Sequence, residues 1–172
     1  MRTHSSQFSD ELKAAFGGYI IEWALFESAM GDLFHGVIDG NVQRDLVMFN
    51  TQPGFKGKRD MLYAVVADTA FKKPADELVK LLSEADQLAT LRNDLVHGYW
   101  HWRVKINGDT KTEAVVAIFK PRSQTRHYMF DVGVDDLTAW TADVAALTVR
   151  LQELDPKALT RRREHRKKNP RN

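Results

Sequence analysis

Three observations predict a mostly α-helical single domain: a bundle of about four helices with a small antiparallel β-meander inserted before the last. Apolar residues recur at three- and four-residue steps through most of the chain, which is the helical period. Between about residues 100 and 132 that period gives way to alternation rich in β-branched and aromatic residues. The 172 residues, 43% hydrophobic and 28% charged, suffice for one ordinary core and are too few for two.

The first helix carries Phe16, Tyr19, Ile20, Trp23, Phe26, Met30, Leu33, Phe34 and Val37 on one stripe. Ser9 is its expected cap, with Asp10 and Glu11 in a favourable first turn, and Gly17-Gly18 is a point where it could divide in two. Glu27 falls on the stripe between Trp23 and Met30, where a carboxylate needs a basic or hydrogen-bonding partner. Arg59 and Arg92 are the expected partners. Asp39, Gly40 and Asn41 end the helix, and a single helical turn is expected before the loop from Asn50 to Gly54.

A second helix is expected over about 58–70, burying Leu62, Val65, Val66 and Thr69. Pro74 suits the first turn of a third, which carries Leu78, Leu81, Leu82, Ala85, Leu88, Leu91, Leu95 and Val96 up to a stop at Gly98. Three strands follow, Trp100 to Ile106, Thr112 to Phe119 and His127 to Val132, the first two joined by an Asn107-Gly108 turn. The last helix starts near Asp135 and shows Leu137, Trp140, Val144, Leu147, Leu151 and Leu154 before Asp155-Pro156 closes it. The domain is thus expected over 1–156, with 157–172 as a flexible tail.

Charge is divided between these parts. The tail holds eight Lys/Arg against Glu164 alone, a balance of +7, and the other 156 residues hold seventeen basic against twenty-two acidic, a balance of −5. Arg161, Arg162, Arg163, Arg166, Lys167 and Lys168 form the densest run. Such a tail either binds a phosphate backbone or is a solvated end, and it contains no aromatic residue to decide between the two. The absence of cysteine removes disulfides, thiolate nucleophiles and thiolate zinc sites, and fits a reducing, cytoplasmic compartment. The polar, acid-containing start and the interruption of the run Tyr19 to Phe26 by Glu22 lead us to expect neither a signal peptide nor a membrane span.

The chemistry-bearing stretch is LRNDLVHGYWHW, Leu91 to Trp102. An arginine with a histidine five positions later carries little information in a chain with 13 Arg and 6 His, and Arg122 with His127 supplies a second such pair. That pair lies beside Pro121 between strands, whereas Arg92 and His97 sit on one helix with Asn93 one turn before His97, able to steer its imidazole. Arg92 can bind phosphoryl oxygens bidentately, and His97, with an ordinary pKa of about 6.5, can act as base or acid. His97 and His101 are four apart, but Gly98 ends the helix between them, so neither a metal nor any other cofactor is expected. Lys56-Gly57-Lys58-Arg59 lacks the spacing of a phosphate-binding loop and reads as a solvated helix start, and His35 reads as a rim residue.

Arg92-Asn93, three residues, His97, Gly98-Tyr99 resembles the signature of HEPN domains, small helical bundles with an arginine, a polar residue and a histidine near the end of the third helix. The resemblance covers about eight residues in motif, and its architecture extends over Phe16 to Tyr99 plus the last helix; the inserted sheet is outside the minimal family core. It implies a metal-independent endoribonuclease, often of toxin or defence type, with Arg92 and His97 catalytic and Asn93 in support. It also implies a homodimer, since two third helices facing each other would place two histidines in a composite site. In a toxin subgroup the tyrosine at the position of Tyr99 is the target of a partner nucleotidyltransferase antitoxin. The alternative for the whole motif is an inactive module that binds RNA, a nucleotide or a protein. In that case Arg92 serves Glu27, His97 serves the helix C-terminus, and Tyr99 with Trp100 forms a core plug that could otherwise stack bases.

Overall fold

The structure is a computed structural model that describes residues 8–67, 72–104, 112–119 and 127–159, with side chains described over 8–66, 75–100 and 131–159. It is mostly helical. The helices are α1 (Asp10–Ile38), α2 (Val42–Asn50), α3 (Gly54–Ala67), α4 (Lys72–His97) and α5 (Val134–Gln152), with a further helical turn over 156–159. Strands β1 (Tyr99–Val104), β2 (Thr112–Phe119) and β3 (His127–Val132) lie between α4 and α5, paired antiparallel in the order β1-β2-β3. No helix of the described residues is long and apolar enough to cross a membrane.

The α1 helix is the axis of the fold. Ser9 caps it, its hydroxyl accepting from the Leu12 N–H at 3.1 Å, and Asp10 and Glu11 face the positive end of the helix dipole. At the other end Asp39 takes the left-handed conformation at φ 54° and its N–H closes on the His35 carbonyl. Gly17 and Gly18 do not divide the helix: α1 runs unbroken for 29 residues, because buried side chains on both sides of the pair hold it in register. Its apolar side packs on α5, α2 and α3, placing Tyr19, Trp23, Phe26, Met30 and Phe34 in the centre of the core.

Two stretches are more ordered than the sequence suggested. The single turn expected before Asn50 is a nine-residue helix, α2, capped by Asn41 and held by Phe49, which is wholly buried against Phe34. Packing also continues past the expected domain end at 156. Pro156 lies against Gly36, where an added Cβ would come within 2.8 Å of the proline ring, and Leu159 is fully buried. The folded body therefore reaches Leu159, and the arginine-rich run beginning at Arg161 lies outside the described residues, as does the expected Asn107-Gly108 turn.

Candidate functional site

The motif occupies the last two turns of α4 and the start of β1. Tyr19 ties this end of α4 to α1: its hydroxyl donates to the Leu88 carbonyl at 3.1 Å. That is the carbonyl to which the i to i−4 ladder also delivers the Arg92 N–H. Trp100 secures the next turn, its indole N–H donating to the Leu95 carbonyl at 2.9 Å, with its ring edge-on to Phe8 and Phe16. Trp100 thus plugs the junction as a core residue would, and it also forms one wall of an apolar groove of about 290 Å³ with Phe8, Leu12, Lys13 and Phe16. Tyr99 points the other way and is 61% exposed, so the core-plug reading holds for Trp100 and fails for its neighbour.

Arg92 is half-buried beside Tyr19, and its charge opposes the upward push that burial gives the tyrosine hydroxyl. The net shift is upward from the ordinary tyrosine value of 10.0, so the folded state resists deprotonation there more than the unfolded chain does. The stabilising term is complete below that value and is lost as pH rises through and beyond it. Alkaline denaturation is accordingly expected to set in above about pH 10, and to be flattened in Tyr19→Phe once the loss of the Leu88 hydrogen bond at neutral pH is subtracted.

The Arg92 side chain has an unusual set of partners. One terminal nitrogen donates to the Asn93 Oδ1 at 3.1 Å, while Nε is buried with no hydrogen-bond partner among the described residues. Asn93 therefore orients the guanidinium, not the imidazole of His97 as the helical spacing suggested. His97 itself is exposed at the C-terminal end of α4.

Neither Arg92 nor Arg59 serves Glu27. The partner is Lys58, whose ammonium donates to Oε2 while the Trp23 indole N–H donates to Oε1 at 2.8 Å. Arg59 turns outward to Asp60 and Asp86. Reading Lys58 as part of a solvated start was wrong: it is buried, with its ammonium 5.8 Å from the Phe49 ring centre. The signal was present in the spacing, since Phe55, Lys58, Leu62 and Val66 follow three- and four-residue steps and are all buried. A second paired acid escaped the sequence reading altogether. Asp45 is 1% exposed and meets His35 Nδ1 at 3.0 Å and Arg44 Nε at 3.5 Å. Its place four residues before the buried Phe49 could have flagged it.

The structure thus places Arg92, Asn93 and His97 in the last two turns of α4 and Tyr99 at the start of β1, and it pairs Glu27 with Lys58 at the contact of α1 with α3 instead. Of the second arginine–histidine pair, Arg122 lies outside the described residues and His127 opens β3. Among the described residues there is no group of three or more His, Cys, Asp or Glu side chains that could hold a metal ion. No family model matches the chain, and neither does any curated protein or solved structure.

Proposed function

We propose that the chain is a HEPN-like protein that binds RNA phosphodiesters at Arg92 and cleaves them without a metal, with His97 transferring the proton. The observation that supports this is the state of Arg92. Lys58, Arg59 and Arg150 each hold a carboxylate, whereas Arg92 holds only an amide among the described residues and keeps a buried Nε unsatisfied. A half-buried guanidinium without a carboxylate is a site for an external anion of planar or tetrahedral form. In the reaction the 2′-hydroxyl gives its proton to the His97 imidazole and attacks phosphorus. The P–O5′ bond breaks to leave a 2′,3′-cyclic phosphate, and the 5′-oxygen takes a proton from an acid. One chain offers one such histidine, so the full acid–base pair calls for a second copy whose α4 end completes the site. An exposed Tyr99 beside the motif suits the toxin-type variant, in which a nucleotidyltransferase antitoxin modifies it, and a cysteine-free chain suits the cytoplasm.

The inactive-module reading has its own support, because no described residue hydrogen-bonds the His97 ring to set its direction. The two readings separate on a mixed RNA pool in EDTA, comparing wild type with His97→Ala. Cleavage by the wild type alone, ending in cyclic phosphate, is the expected result; equal background from both proteins leaves only the binding module. Asn93→Ala should slow cleavage by less than His97→Ala, since its contact is to Arg92. Arg122→Ala with His127→Ala should leave the rate intact.

The run from Arg161 to Lys168 is proposed to add affinity without sequence preference. Truncation after Leu159, the last buried residue among those described, should then weaken RNA binding and flatten its dependence on salt. Unchanged binding with an unchanged salt slope would reduce the tail to a solubilising end.

A further inference from the structure

The side of α1 turned away from the core presents an unusual surface. Ala14, Gly18, Ile21, Leu25, Ser28 and Asp32 follow alternating steps of four and three, the spacing of a helix-pairing seam. Ile21 is 64% exposed and Leu25 is 51% exposed, and Ala24 beside them is exposed as well. Gly17 and Gly18 lie on this same side. Each glycine within a helix costs about 1 kcal/mol relative to alanine. Neither has a positive φ, and a Cβ built on either would meet nothing within 4 Å, so nothing among the described residues calls for a missing side chain at these positions. A close approach from outside does.

We infer that this face of α1 is an interface between two copies of the chain, packed antiparallel about a two-fold axis near residue 23. The seam is complementary to itself in that direction alone. Ile21 then faces the partner's Leu25, joining the two large exposed side chains, and Gly18 faces the partner's Ser28, joining the two small ones and letting the backbones approach. Ala14 faces the partner's Asp32, which brings that carboxylate next to Lys13. Among the described residues Lys13 is otherwise engaged only in an exposed pair with Asp10, an interaction of little strength. A parallel pairing would set Asp32 against Asp32 and glycine against glycine, losing both matches. At about 100° per residue this face lies across the helix from Tyr19, which meets α4. It is therefore a separate surface from one that would join two α4 ends, and it does not depend on the RNA reading.

Sedimentation over a range of concentrations reads the association directly. The wild type is expected to show a concentration-dependent dimer, and Leu25→Lys to weaken it at least tenfold. Gly18→Leu is the discriminating variant: it should raise the melting temperature of the monomer, by removing a helix-interior glycine, while weakening the dimer at least tenfold by filling the gap. Because the chain has no cysteine, register can be read with Ile21→Cys and Leu25→Cys and a short bis-maleimide. The mixture should cross-link faster than either variant alone. A wild type that stays monomeric, a Gly18→Leu dimer as strong as the wild type, or self-cross-linking faster than the mixture would each overturn the proposal. A monomeric wild type would also remove the second copy that the composite α4 site calls for, whereas a dimer indifferent to Leu25→Lys and Gly18→Leu would overturn this seam alone and leave the Arg92 reading standing.

Discussion

Replacing Glu27 by alanine is expected to cost the fold about 3 kcal/mol, read as a lower urea midpoint at unchanged slope. The carboxylate is held on both oxygens, by the Lys58 ammonium and the Trp23 indole N–H, at the contact of α1 with α3. Removing it strands a lysine whose side chain is 11% exposed, and it leaves a buried indole donor without an acceptor. The figure belongs at the lower end for a broken buried pair, because 20% of the Glu27 side chain still reaches solvent. Glu27→Gln combined with Lys58→Met removes both charges and keeps an acceptor for Trp23. That double variant should be more stable than Glu27→Ala, since the penalty in the single variant is the uncompensated charge and not the loss of the pair itself. Equal midpoints for wild type and Glu27→Ala would mean that Lys58 finds water without cost.

Glu27 also marks where the sequence is legible and where it stops. Its position on a helical stripe made burial, and hence the need for a partner, readable from periodicity alone. The identity of the partner was not readable, because it depends on which side of α3 turns toward α1. A lysine within a basic run looks solvated until the apolar residues around it are counted at helical spacing. The ends of α1 and α4 were legible for a local reason: Ser9, Asp39 and Gly98 act within their own turn. The turn over 156–159 was not, because its order comes from Pro156 and Leu159 docking on distant parts of the chain. The site divides in the same way. That Arg92, Asn93 and His97 sit on the last turns of one helix, with Tyr99 just past its end, follows from their spacing. That Asn93 bonds the guanidinium rather than the imidazole is a matter of side-chain rotation, which spacing leaves free.

Arg92→Met is expected to move stability and activity in opposite directions. Methionine keeps an apolar stem of similar reach beside Tyr19, and it removes a buried Nε and a charge that, among the described residues, lack a partner and a carboxylate. An unsatisfied buried donor costs about 1–3 kcal/mol, so the variant should be more stable by about 1 kcal/mol once the lost Asn93 contact is allowed for. If Arg92 stabilises the charge that develops on the phosphoryl group, the same change should slow RNA cleavage by roughly 100- to 1000-fold. Arg92→Lys should recover only part of that, because an ammonium keeps the charge without the two-pronged geometry of a guanidinium. A structural arginine behaves differently: its loss lowers stability and leaves the rate unchanged. Chemical unfolding and RNA cleavage measured on the same preparations of wild type, Arg92→Met and Arg92→Lys therefore decide the matter. A group kept for packing and a group kept for an anion predict opposite signs in the first measurement and different magnitudes in the second.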